Sequence, residues 1–212
     1  ILRGVVLTLQ LTAGAMVFGI VLGCVLAAMA ISDNIVLRAI TAVFVWWFRG
    51  VPLIVQIFLW FNIALFVPRV GSIDINLLVT PTIAGFLALF LHEAANMTEI
   101  IRAGLKSVDR GQCEAAQALG LKPLQTMWTI ILPQAVRLVI PPTGNQAIGM
   151  LKASAIVSVI GMRDLLTQAQ QIYAANYLII EMLFVASIWY LGITTVASVG
   201  QHFLEKRFAP KG

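Results

Sequence analysis

Gly4-Val5-Val6-Leu7-Thr8-Leu9-Gln10-Leu11-Thr12-Ala13-Gly14-Ala15-Met16-Val17-Phe18-Gly19-Ile20-Val21-Leu22-Gly23-Cys24-Val25-Leu26-Ala27-Ala28-Met29-Ala30-Ile31-Ser32 contains no charged side chain. At about 1.5 Å per residue, a helix over this run exceeds the ~30 Å hydrocarbon layer of a bilayer. It is too long for a signal-peptide core and has no convincing cleavage site, so it reads as a retained membrane helix. The chain opens on Ile1, and native residues are expected ahead of it.

Further along, Gly50–Pro68, Ile75–Leu91 and Met182–Gln201 are also free of charge, giving four spanning candidates. A fifth is expected over Leu138–Ile160. It includes Lys152 and is interrupted or kinked at Pro141-Pro142, so it should face protein rather than lipid. Composition agrees: 60% of the 212 residues are hydrophobic and 11% charged, against roughly 25% charged in soluble domains. The expected fold is all-α, a single integral membrane domain over residues 1–212 with five transmembrane helices. No linker, low-complexity stretch or fixed-period repeat divides it.

Placing the amino-terminus outside puts Arg38, Arg102, Lys106, Arg110, Lys122, Arg137, Lys206, Arg207 and Lys211 inside, with Arg3, Arg69 and Arg163 outside. Arg49 and Lys152 are unassigned. The positive-inside rule therefore predicts a cytoplasmic carboxy-terminus and a cytoplasmic segment near 105–135. The net charge of +5 follows from this topology and from anionic headgroups, and gives no sign of nucleic acid. Cys24 within a span and Cys113 in the cytoplasmic segment are not expected to pair.

That segment is polar enough to sit in water. Asp109 suits a helix N-cap, Gly120 a left-handed stop and Pro123 the first turn of a second helix ending near Pro133. The pattern is a helix-turn-helix knuckle. Ala115, Ala116 and Ala118 leave a low face for a groove in another protein, while Leu124, Met127, Trp128 and Ile131 form a stripe expected to anchor the second helix to its own chain.

Glu114-Ala115-Ala116, three residues, Gly120, nine residues, then Ile130-Ile131-Leu132-Pro133 resembles the EAA signature of permease subunits of bacterial ABC importers. Phe48-Arg49-Gly50-Val51-Pro52-Leu53-Ile54-Val55-Gln56 is similar to the FRGTPLLVQ stretch of the polar amino acid branch, with Val51 in place of Thr. Glu99–Gly104 and Leu151–Ser154 extend the likeness over nearly the whole chain. The resemblance implies a type I permease in the bacterial inner membrane whose knuckle, about 105–135, is the coupling helix. Glu114, Ala115, Ala116, Gly120 and Pro133 would then dock on a cytoplasmic ATPase dimer. It also implies a second permease, identical or a sister, and an extracytoplasmic substrate-binding protein. The polar stretch Arg163–Tyr177 is expected as a helix outside, either a docking surface for that protein or a solvated connection.

Polar groups inside the membrane mark a substrate path, because a charge at a helix centre costs about 2.5–3.5 kcal/mol on insertion scales. His92, Asn96 and Glu99 form one stripe, with Glu93 beside it. Asn145, Gln146 and Lys152 form a second. A zwitterionic amino acid needs a carboxylate or carbonyls for its ammonium group and cationic or amide donors for its carboxylate. Glu93 and Lys152 offer such a pair, or neutralise each other. Glu99 and Arg102, at i and i+3, read as a structural ion pair. Arg49, after the aromatic cluster Trp46-Trp47-Phe48, either lines the path or snorkels to headgroups from an elbow helix. Ala15, Gly19 and Gly23 read as helix packing.

The chain has no phosphate-loop motif and no cluster with metal-ligand spacing. It is expected to be a non-catalytic subunit without a cofactor of its own, with ATP and Mg held by the partner ATPase. Two other readings stay open. One is ABC import of another small solute such as a peptide or an opine. The other is an ion-coupled carrier, although five spans lack the inverted halves common in secondary transporters.

Overall fold

The computed structural model describes residues 1–208. Lys211 and the extreme carboxy-terminus, assigned above to the cytoplasmic side, lie outside the described residues. In chain order the helices are α1 Leu2–Ala30, α2 Ile35–Gly50, α3 Leu53–Phe61, α4 Ile63–Phe66, α5 Ile75–Leu78, α6 Pro81–Lys106, α7 Arg110–Ala118, α8 Pro123–Thr126, α9 Leu132–Ala153, α10 Leu165–Asn176 and α11 Ile179–Phe208. A π-helical turn, Met127–Ile131, joins α8 to α9, and a 3-10 segment, Ser154–Ile160, follows α9. Among the described residues the all-α expectation holds but for one antiparallel pair, Arg69–Val70 with Ile73–Asp74, closed at Gly71.

Side-chain meetings along α6 give the direction of each element. Gly19 of α1 lies against Glu93 and Gly23 against Met97, so α1 and α6 run parallel. A Cβ on Gly19 would stand 2.8 Å from Glu93 Cγ, so the glycines serve as the packing surface that their spacing suggests. Gln146 of α9 bonds Glu93, whereas Val139 lies against Gly104, so α9 runs back along α6. Leu11, Ala15, Ile57, Ala88, Leu89 and Val157 form the core where α1, α3, α6 and the 3-10 segment meet.

Among the described residues, two helices are long and apolar enough to cross a membrane by themselves, α1 and α11. The pair α2 and α3, bent by 103°, qualifies together. α6 and α9 are long enough, at 26 and 22 residues, but carry the polar stripes. Polarity, not length, removes them from a simple count of spans.

Boundaries moved for physical reasons. The second span, expected over Gly50–Pro68, is the nine-residue α3 and short α4, because Pro52 breaks the chain and Asn62 turns it. Thr41 bonds the carbonyl of Leu26 and Arg49 approaches Glu99, so α2 stays near one end of the bundle as the expected elbow. Gln56 Nε2 donates to the Phe48 and Val51 carbonyls, each at 2.8 Å. It satisfies the bend from within, as a helix break in lipid requires. The third span begins at Pro81, not Ile75, and the fourth at Leu132, not Leu138.

Pro133 does not stop the second knuckle helix. The chain passes from α8 through the π turn into α9 without leaving helical geometry, and Pro133, which has no N–H to donate to the preceding turn, follows directly after the π turn as the second residue of α9. Pro141 and Pro142 lie inside α9, which is not interrupted there but continues from Leu132 to Ala153.

Candidate functional site

At one end of the bundle the knuckle has the local chemistry read from its sequence. Asp109 Oδ1 accepts from the Gly111 amide, Gly120 adopts φ +78°, and Gln125 Oε1 accepts from the Lys122 amide. Which side chains face inward differs from expectation. Ala116 is buried against the chain's own body, whereas Leu119 is 82%, Leu124 69% and Trp128 65% exposed. The proposed anchoring stripe thus faces outward in part. Leu124, ahead of the π turn, and Trp128, inside it, share the outward side, and the residue turned inward between them is Thr126. Glu114, Ala115, Ala118 and Gly120 are exposed, so the knuckle offers an apolar, glycine-hinged surface with no cover from its own chain.

The polar residues of the membrane part divide between an open side of the α6–α9 pair and its packed interior. His92, Asn96 and Glu99 share one face of α6, and Asn145 and Lys152 one face of α9. A groove of about 480 Å³ lined by Arg49, Glu99, Ala103, Gly104, Leu138 and Pro142 runs between these faces. Arg102 grips Glu99 through two bonds, 3.0 and 2.5 Å, with Arg49 at 3.9 Å, so the expected ion pair is present and Arg49 turns toward the groove. Pro142 lacks the N–H that would bond the Leu138 carbonyl, which is left as an acceptor on the same helix.

Glu93 belongs to the packed interior. It is 0% exposed, sealed by Gly19. Gln146 Nε2 donates to its Oε2 at 3.0 Å, and Oε1 has no partner. The suggested pairing with Lys152 is not formed. Gln146 is the residue of α9 at the depth of Glu93, and Lys152 lies nearly two turns further on, exposed, about 120° round the helix. Of the five residues proposed for a path, Asn96, Asn145 and Lys152 border the open face, while Glu93 and Gln146 hold each other behind it. Gln56 was missed by sequence reading. It is buried and lies 3.3 Å from His92 Nδ1, and its position four residues beyond Pro52 was the available signal.

At the far end from the knuckle, the polar stretch 163–177 is helical as expected but half-buried. Asp164, 0% exposed, caps α10 by accepting from the Thr167 amide and hydroxyl at 3.0 and 2.6 Å. Tyr190 of α11 reaches the same carboxylate at 3.4 Å, and Thr8 of α1 accepts from the Leu165 amide. Beyond this knot Gln171, Asn176 and Tyr177 are exposed.

Residues 19–210 match the family described as binding-protein-dependent transport system inner membrane components. The arginine transport system permease protein ArgU of Corynebacterium glutamicum is 40% identical over 207 residues, which cover 95% of this chain and 66% of that protein. The chain therefore spans just under two thirds of that relative's length. A Rickettsia typhi protein named for glutamine transport is 33% identical over 208 residues, 98% of this chain and 92% of that one. Among solved structures, an amino acid ABC transporter crystallised with histidines superposes with a TM-score of 0.89 at 34% identity, covering 97% of this chain and 92% of that one. The methionine ABC transporter MetNI, inward facing, gives 0.79 at 19% identity, covering 99% and 96%, and supports the fold alone.

Proposed function

We propose that this chain, which belongs to the family of binding-protein-dependent transport system inner membrane components, is the permease subunit of an ATP-driven importer of amino acids. The observation that carries the reading is the polar face of α6 and α9, joined to an uncovered knuckle at one end of the same helices. Asn96, Asn145, Glu99, Arg49 and Lys152 are too polar to face hydrocarbon. A second permease, identical or a sister, covers this face and encloses a water-accessible path. An amino acid's carboxylate has Lys152 and the amides as donors there, and its ammonium group has Glu99 and the Leu138 carbonyl as acceptors.

The knuckle takes the role of coupling helix. Leu119, Leu124 and Trp128, with Glu114, Ala115 and Gly120, would enter a cleft of a cytoplasmic ATPase that binds ATP and Mg. Because α8, the π turn and α9 form one helical path, closing the ATPase dimer would move α9 directly and switch the access of the polar face. Such a shift requires that the partner contact the two states differently. An extracytoplasmic binding protein would seat on α10 around Gln171 and Tyr177.

Reconstitution of the complex in vesicles tests this reading. ATP hydrolysis should rise several-fold only with binding protein and one class of amino acid, and uptake driven by an ion gradient without ATP would overturn it. In the same assay Gly120→Val should block uptake while the protein stays inserted. The left-handed backbone at φ +78° costs a residue with a Cβ about 1–2 kcal/mol, and the space around Gly120 is open, so the effect comes from turn geometry and not from a clash. Orientation is tested with single cysteines. One at Gln171 should react with an impermeant thiol reagent in intact cells, and one at Gln125 only after permeabilisation. The reverse would place the knuckle outside.

A further inference from the structure

The face of α6–α9 that points away from the polar groove borders a cavity of about 450 Å³ that the transport reading does not use. It is wedge-shaped. α1 and α11 are tied together at the Asp164 end, through Thr8 to Leu165 and Tyr190 to Asp164. Toward the knuckle end they part, and α6 and α9 form the floor. The lining is apolar, with Ile20, Met97, Ile101, Val136, Val139 and Ala147. The one hydroxyl in it, on Thr143, donates to its own helix at the Val139 carbonyl, 2.8 Å away. Such a space offers water no partners, and left empty it forfeits dispersion contacts on every wall.

The surroundings name the occupant. Cys24 and Leu204 stand at the mouth, and both are exposed. The flanking outward side chains are Val17, Val21 and Val25 on α1 and Val196, Val199 and Phe203 on α11, all exposed. The wedge thus opens onto hydrocarbon. Its rim at the knuckle end is cationic. Gln201 reaches the Pro141 carbonyl, which puts Arg137, one turn earlier on α9, at the depth of Leu204. Arg207 follows Leu204 by three residues on the same face of α11. Both arginines are exposed, and neither forms an ion pair among the described residues. The nearby Glu205 accepts from Gln201 at 2.6 Å.

We infer that the wedge between α1 and α11 holds an acyl chain of an anionic phospholipid from the knuckle-side leaflet, with Arg137 and Arg207 on its headgroup phosphate. Paired guanidinium groups at a membrane surface favour an anionic headgroup, and an acyl chain matches an apolar slot entered from the bilayer. The inference rests on the chain spanning a membrane, and it is independent of which amino acid is carried or which leaflet faces the cytoplasm.

The test uses the assembled complex in vesicles containing phosphatidylglycerol with a photoreactive group in its acyl tail, or phosphatidylcholine with the same tail. Adducts are mapped by mass spectrometry. Phosphatidylglycerol should label Met97, Val136 or Val139 several-fold more than phosphatidylcholine. Arg137→Gln with Arg207→Gln should bring it down to the phosphatidylcholine level. Val136→Trp, which fills the slot from its rim, should remove wedge labelling and leave labelling of Val17, Val21 and Val25 unchanged, a control that the variant is folded and inserted. Equal labelling by the two lipids, or adducts confined to the outward α1 face, would overturn the inference. The latter result is also the one expected if a second permease occupied the wedge.

Discussion

His92 and Glu93 are neighbours in sequence, yet His92 meets Gln56 at the bend between α2 and α3, while Glu93 is sealed behind α1. A like division runs along α6 and α9: Asn96, Glu99, Asn145 and Lys152 lie on a side left open in the single chain, whereas Gln146 bonds one oxygen of the Glu93 carboxylate inside packed helices and leaves the other without a partner. An intramembrane polar residue therefore has two different uses. On the inner face it binds one helix to another, and its cost is offset by a partner at the same depth. On the outer face its partners must come from elsewhere, from water, substrate or a second subunit.

The comparison breaks most visibly at Gly19. A Cβ there would lie 2.8 and 2.9 Å from Glu93 Cγ and Cβ and 3.3 Å from the Ala94 nitrogen. Gly19→Leu should separate α1 from α6, costing ~3 kcal/mol or more by overpacking and removing most of the inserted protein, read as membrane abundance and detergent melting temperature. A stable, transporting Gly19→Leu protein would show that the inner face is not closely packed. On the outer face the expectation inverts. Asn96→Leu and Lys152→Met should each lower the maximal transport rate by tenfold or more with unchanged abundance, because neither side chain has an internal partner to lose. Equal loss of protein and of transport would mean that this face is structural after all.

Glu93→Gln is the mildest change and the sharpest discriminator. It retains an acceptor for Gln146 and the shape of the side chain, so the stability change should stay within ~1 kcal/mol and transport should largely persist. Glu93→Leu, by contrast, strands the Gln146 donor at ~1–3 kcal/mol. Transport abolished in a fully assembled Glu93→Gln complex would return this glutamate to the substrate path.

Much of the knuckle was legible because its signals are local. Asp109 caps, Gly120 turns and Pro123 starts a helix through bonds and torsions within a few residues. The outward aim of Leu124 and Trp128 was not legible, since periodicity says which residues share a face and not which way that face points. The Glu99–Arg102 pair was readable for the same reason of proximity. The Glu93–Gln146 bond joins positions 53 residues apart, and no spacing rule reaches that far.

The sequence by itself determined that this chain lives in a membrane, where its charges divide, and that it carries the EAA pattern of its family. Those properties are sums over composition or matches at fixed offsets, and they survive any uncertainty about packing. Tertiary structure alone decided which of two adjacent polar residues meets the α2–α3 bend and which is sealed between α1 and α9, that α8 and α9 are one path through Pro133, and that α1 and α11 part to leave a wedge. Each depends on helix phase and on the depth at which distant helices meet, and a single 100° rotation or one-turn shift exchanges one outcome for the other.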